Sequence, residues 1–217
     1  MSGRIFLANV GANASHRFAS PIFEDETFEF LPIPENPDIP LPHALRYRDL
    51  RSHYRTCENL LVYIPKRLWN KATHNDPEFQ TFTYGDNCET SPRAKSLKQM
   101  ESGDFLFFLA RMVRWNTTGP TQDYGFYFVG FLEISGTYNT LTDVQRQPTI
   151  ELLERFSENA HIRRGLTQSR FWDRFWVFQG SCNSQRFPRA IPVNRQLCEG
   201  VFTTAKGSPW RWDDHRS

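Results

Sequence analysis

The densest apolar segments of the chain are SGDFLFFLARMVRW at 102–115 and YGFYFVGFLEISGTY at 124–138, each bounded by glycine or polar residues and filled with Phe, Leu, Val and Tyr. That composition predicts two paired β-strands, buried on both faces or closed in a barrel. The polar NTTGPTQD between them is longer than a tight hairpin turn, so a loop able to edge a cleft is expected there. A third β-favouring run covers 4–10, and from Gly11 the chain turns to small and polar residues: Asn13, Ser15, His16, Arg17 and Ser20. Donors and acceptors massed just beyond a strand end lie where α/β and α+β proteins often hold ligands. The segment TFEFLPI is expected to be a strand paired with this first run, across the turn-like FEDET.

Helical spacing is rarer. In TIELLERFSENAHIRR, 149–164, apolar residues at 150, 152, 153, 156 and 160 predict an amphipathic helix ending near Asn159. Ser91 before Pro92 has the chemistry of a helix start for 91–100. Prolines alternate through PIPENPDIPLPH, 32–43, and force an extended path that reads as a connection and not as core. LRYRDLRS after it reads as a loop entering a short helix, and Trp176 to Gln179 as a strand running into a Gly-Ser-Cys-Asn turn. Together these elements predict one α+β domain over residues 1–217, built on a mixed or barrel-like sheet with a few flanking helices.

A 39% hydrophobic and 23% charged composition is that of an ordinary globular protein, and the net charge of +2 permits a polyanionic partner without demanding one. The aromatic share of 15% predicts a Phe-rich β core, with the role of the C-terminal Trp cluster open. Cys57, Cys88, Cys182 and Cys198 form no CxxC or CxxH pair, which encodes neither a zinc ribbon nor a redox motif. No segment has the pattern of a signal peptide or a membrane span, so a cytoplasmic location with reduced thiols is expected.

Four polar segments compete for the chemistry. GANASHRFASP offers His16 and Arg17, either hydrogen-bonded structural residues or part of a ligand site. THNDPEFQTFTYGDN, 73–87, sets His74, Asp76, Glu78 and Asp86 in a short span, either to orient a general base or hold a divalent ion, or as a solvated loop with Asx turns. Its spacing matches no metal signature such as HExxH, so no metal ligand is assigned. In ENAHIRRG, His161 and Arg163 are expected near a helix end, where cations complement the dipole. QGSCNSQRFPR lacks a GxSxG elbow or a Cys-His pair, which leaves Asn183, Gln185 and Arg186 beside Phe187 suited to reading a flat heterocycle.

The blocks NVGANASHRFASPIFEDETFEFLPIPE, RYRDL, THNDPEFQTFTYGDN, GDFLFFLARM, GFYFVGFLEI and ENAHIRR, in that order, resemble those of the nucleotide modification associated domain 3 family, Nmad3. The resemblance implies an α+β domain with several shared polar positions and a role in nucleic-acid base modification, inferred for the family from its association with hypermodified DNA systems. Family members often carry a Lys-Gly-Asp-like element after the first strand. Here Gly11-Ala12-Asn13-Ala14 stands in its place, so a charge at that turn falls to His16 or Arg17. GDFLFFLAR followed by YFVGFLEI is also similar, more weakly, to PUA-like barrels, the superfamily of ASCH and EVE domains, which would imply a pocket for a base beside the barrel.

The expected function is binding or processing of a modified nucleobase in DNA. Asp76, Asp86, His74 and His16 are the candidate catalytic residues, with Asp76 or Asp86 as base or orienter. Asn13, Arg17, Ser20, Arg46, Tyr84, His161, Arg163, Asn183 and Arg186 are the candidate substrate contacts, and the three arginines 17, 46 and 163 are expected to meet phosphate or a base edge. The alternatives are a non-catalytic reader serving a partner nuclease or other modification or restriction protein, and an enzyme acting on a free nucleotide. No cofactor is identified from the sequence. The turn at 13–20, the loop at 74–86 and residues 161–163 are expected to converge on one cleft.

Overall fold

The computed structural model describes residues 3–36, 38–54, 59–139, 150–172, 175–203, 207–209 and 211. Cys57 and the Trp cluster at 210 and 212 lie outside them. The fold is α+β and sheet-dominated. Its large sheet runs β1 (Ile5–Val10), β6 (Phe105–Asn116), β7 (Gly119–Asn139), β8 (Trp176–Gly180), β5 (Thr83–Asp86). Two further strands complete it: β2 (Ser20–Ile22) beside β6 and β9 (Gln185–Pro192) beside β7. A separate small sheet pairs β3 (Ile33–Pro34) with β4 (Thr73–His74). The large sheet is mixed and does not close into a barrel: β1 and β2 run parallel to β6, and the other pairs are antiparallel.

The two expected strands form the β6–β7 hairpin, but the long loop expected between them is a tight turn at Thr117 and Thr118, because both strands extend until Asn116 pairs with Gly119. On β6 the side chains alternate strictly: Leu106, Phe108, Ala110 and Met112 are fully buried, and Phe105, Phe107, Leu109 and Arg111 face the other side half-buried. Such period-2 alternation assigns one face of the strand to the core. Burying Phe108 there contributes about 2–3 kcal/mol at the usual value per apolar area. β7 is long enough to serve two neighbours besides β6, its middle (Tyr127–Phe131) pairing with β9 and its last residues with β8. Gly130 sits at the register shift, where a Cβ would lie 2.7 Å from the Phe79 ring.

Several elements differ from expectation. The first run pairs in parallel with β6 and leaves Ile5 and Leu7 exposed, while the segment after FEDET forms no ladder with it: Phe28 bridges Ile22 of β2, and Ala12 N donates to Leu31 O at 2.8 Å. Residues 91–100 make a short 3-10 helix, Lys95–Gln99. The amphipathic segment is two helices, α1 (Ile150–Arg155) and α2 (Ala160–Thr167); Asn159 begins the second instead of ending the first. Its side chain accepts a 3.0 Å hydrogen bond from His161 N, the bond of an N-cap. A third helix, α3 (Arg195–Val201), is capped likewise by Asn194. The proline-rich connection is anchored as well as extended: Tyr47 donates to Pro32 O at 2.8 Å, Glu35 N donates to Ala72 O at 2.9 Å, and Leu31 and Ile39 are buried. Among the described residues no helix is long and apolar enough to cross a membrane.

At the start of β6, Asp104 ties the hairpin to β1. It accepts from Arg4 N at 2.8 Å, from Arg4 Nη2 at 2.7 Å and from Glu101 N at 2.9 Å. Burial alone would raise its carboxyl, but Arg4 and these amides outweigh that and hold it below the usual carboxylate range. A depressed carboxylate stabilises the fold above its unfolded value and loses that contribution as pH falls through the folded one. Asp104→Asn is therefore expected to lower the urea midpoint at pH 7, with the gap from wild type closing as the pH falls below about 4. A gap that stays constant with pH would show that the charge of Asp104 contributes nothing.

Candidate functional site

The carboxyl end of β1 opens onto a cleft of about 560 Å³. Gly11, at φ 78, turns the chain there, and a Cβ at that position would meet the Phe30 ring at 2.9 Å. The next residues form a tight Asx turn: Asn13 Oδ1 accepts from Ser15 N at 3.0 Å and from Ser15 Oγ at 2.7 Å. Asn13 N donates to His16 Nδ1 at 3.2 Å, which leaves the proton of the neutral ring on Nε2. Burial pushes the His16 pKa down, so the neutral form is favoured.

The opposite wall comes from β4, β5 and the loop between them. Glu78, buried, accepts from Gln80 N at 2.6 Å and Thr81 N at 2.7 Å, and so shapes the loop. His74, Asp76, Tyr84 and Asp86 line the cleft beside Asn9, Asn13, His16, Asn87, Arg93 and His161. Tyr84 donates to Asp86 Oδ2 at 2.8 Å, and Asn87 N donates to Asp86 Oδ1 at 2.8 Å. Burial raises the Tyr84 hydroxyl well above its ordinary value, and Asp86 reinforces the shift, so the phenol stays protonated and donating.

On the cleft floor three side chains meet. His74 Nδ1 lies 2.8 Å from Glu35 Oε2, with both groups largely buried. Asp76 Oδ2 accepts from Gly85 N at 2.8 Å and stands 3.9 Å from His74 Nε2 and 3.6 Å from His161 Nε2. The two imidazoles meet edge to face with centroids 4.7 Å apart, and His161 also packs on Phe175. Asp76 Oδ1 is buried and has no hydrogen-bond partner. Burial raises the Asp76 carboxyl well above its usual range, only partly opposed by the Gly85 amide. Burial together with the nearby His74 and Arg164 pushes His161 well down. Glu35 is different: burial would raise it, but His74 and Arg164 outweigh that and keep it below its usual value.

His161 reaches this point because Asn159 ties α2 to β5. The Asn159 amide donates to Thr83 Oγ1 at 3.3 Å while its oxygen caps the helix. His161 therefore sits at the N-terminal end of α2, not at a C-terminal end, and the dipole there disfavours a cationic ring.

Three polar segments thus converge as expected through His16, Asp76 and His161. Other candidates are engaged elsewhere. Arg163 pairs with Glu158 and faces a separate small pocket behind α2. Buried Ser20 accepts from Leu31 N at 2.9 Å. Arg46 donates to Asn70 O at 3.1 Å, and Arg17 is exposed at φ 63. Asn183 donates to Glu133 Oε2 at 2.7 Å. Arg186 donates to Phe28 O at 3.2 Å and lies over the Phe28 ring at 4.8 Å. Glu35, Asn9, Asn87, Arg93 and Asn159 were not singled out from the sequence, and Glu35 was hidden in what reads as a connecting segment.

His74, Asp76 and His161 form a set of donors able to hold a metal ion, one atom from each lying within 4.8 Å of the others. Local spacing does not reveal this set because its third member arrives from α2. No curated protein and no solved structure matches the chain. Residues 4–200 match the Nucleotide modification associated domain 3 (Nmad3) family, a span that contains the whole cleft, and the chain belongs to that family.

Proposed function

We propose that the chain is an enzyme that processes a modified nucleobase in DNA, with the base held in the β1 cleft and its reacting atom set against His74, Asp76 and His161. One observation carries this reading: a buried carboxylate with an unpartnered oxygen lies between two imidazoles at the floor of a cleft. Buried unsatisfied groups are costly and are found where a reaction or a ligand uses them. The walls add amides from Asn9, Asn13 and Asn87 and the Nε2–H of His16, donors and acceptors suited to the polar edge of a base. A reader of modified DNA would hold the base in an aromatic cage. Among the described lining residues Tyr84 is the aromatic phenol, and it is buried and committed to Asp86.

Among the described residues lining the cleft, Arg93 is the one arginine, and it is exposed. Binding is expected to be measurable by titrating the full chain with oligonucleotides carrying 5-hydroxymethylated pyrimidines and with their unmodified counterparts. His16→Ala should weaken affinity by about 1–3 kcal/mol, the cost of one lost buried hydrogen bond. Arg93→Ala should flatten the dependence of log affinity on log salt by roughly one unit, while Arg163→Ala, removing a residue held by Glu158, leaves it unchanged. Unaltered binding in both His16→Ala and Arg93→Ala would place the nucleic acid elsewhere on the molecule.

A further inference from the structure

The floor of the cleft opposes acceptor to acceptor. His74 Nδ1 is 2.8 Å from a Glu35 carboxylate oxygen, so Nδ1 carries the proton and Nε2 presents its lone pair. That lone pair faces Asp76 Oδ2 at 3.9 Å, and the other Asp76 oxygen is buried without a donor. A cation between them, whether a proton on Asp76 or a metal ion, answers the facing acceptors and the orphaned carboxyl oxygen. His161 Nε2 completes a triangle, 3.6 Å from the same Asp76 oxygen.

We propose that His74 Nε2, the Asp76 carboxylate and His161 Nε2 bind one divalent first-row transition ion, of the Zn(II) or Fe(II) class, whose remaining coordination positions open on the cleft. Two imidazoles and one carboxylate suit these ions, whereas Mg²⁺ and Ca²⁺ take sets of oxygens. Ligand bonds of about 2.0–2.2 Å place neighbouring donors roughly 3–3.5 Å apart. The donors lie within 4.8 Å of one another, so a bound ion draws them together by roughly 1 Å. Three protein ligands with further positions free are the arrangement of a catalytic metal site, since closed structural sites use four. The Glu35–His74 pair supplies the outer carboxylate that fixes a ligating imidazole.

Arg164 takes the matching position behind His161. Its Nη2 is 3.3 Å from His161 Nδ1 and its Nη1 is 3.8 Å from Glu35 Oε1. A metal on His161 Nε2 requires the proton on Nδ1, so loading opens the Arg164–His161 contact while the guanidinium keeps its ion pair with Glu35. This inference deepens the enzyme reading of the same cleft and rests on it for its meaning, but its test does not use DNA.

The full chain, stripped with a chelator and dialysed, is titrated with ZnCl₂ and, under anaerobic conditions, with Fe(II) sulfate, and the loaded protein is measured by X-ray absorption. The expected result is one ion per chain in a shell of nitrogen and oxygen with imidazole scattering and no sulfur. His74→Ala and His161→Ala should each lower affinity at least about a hundredfold, beyond the loss usual for an outer-shell partner. Thermal melting of the stripped variants checks that they are folded, and if they are not, the absorption spectrum of the wild type decides. Failure of the wild type to load either ion, sulfur from Cys88 or Cys182 in the shell, or undiminished uptake in both folded variants would overturn the metal site. Loading with no base processing would keep the metal site and remove the enzyme reading; processing by a chain that takes up no ion would do the reverse.

Discussion

Asp76→Asn is expected to cut turnover of a modified nucleobase by about a hundredfold or more while binding of the same DNA stays within a few-fold. The substitution keeps the shape of the side chain and an oxygen to accept from Gly85 N, 2.8 Å away in the wild type. What it removes is the ionisable oxygen between His74 and His161, which a transferred proton and a bound cation both need. Asp76 is buried beneath the cleft floor, so it contributes little surface for binding a substrate. Single-turnover rates beside equilibrium titrations separate the two effects. A loss confined to affinity, of about 1–3 kcal/mol, is what a reader that uses Asp76 only as a hydrogen-bond partner would show.

Gly85→Ala is expected to damage both the site and the fold. A methyl group there would lie 3.0 Å from His161 Cγ, closer still to Cδ2, and 3.2 Å from Asn159 Oδ1. Neither neighbour can yield easily. His161 is packed between His74 and Phe175, with centroids at 4.7 and 5.0 Å, and Asn159 is fully buried as the cap of α2. Overpacking costs about 1–3 kcal/mol, and weakening the cap adds about 1 kcal/mol. Urea unfolding should therefore show a loss of about 2–4 kcal/mol, the sum of those two effects. The His161 ring resonances should shift or broaden as the imidazole leaves its place over β5. Stability within about 0.5 kcal/mol of wild type, the range of ordinary surface substitutions, would mean that this contact is not tight.

The parts of this architecture that follow local composition were legible in the sequence, and those that depend on long-range pairing were not. The dense Phe, Leu and Val composition of 102–115 and 124–138 marks the β6–β7 pair, though not the alternation by which β6 buries one face and half-buries the other. The partner of β1 is set by a parallel pairing across the chain, for which no local residue carries a sign. His74, Asp76 and Asp86 stood out as a polar cluster in one loop, and Glu78 in the same cluster turned out to build the loop. Asn159 reads as a helix end in the sequence because Asn serves at both ends of helices, and its bond to His161 N distinguishes an N-cap. Glu35 was invisible among prolines, since its role is defined by His74 approaching from another segment. Arg186 has the composition of a base-reading residue, yet its guanidinium lies over Phe28 and Tyr54 within the fold, the same stacking chemistry used internally.

The most direct test of the central claim is mass spectrometry of the nucleosides of modified DNA incubated with the wild-type chain, beside the same DNA incubated with Asp76→Asn. The His74–Asp76–His161 centre predicts a nucleoside of changed mass with the wild type and none above background with the variant, although both proteins bind the DNA. Identical nucleosides in the two samples, with DNA bound in both, would contradict it and leave a protein that holds modified bases without changing them.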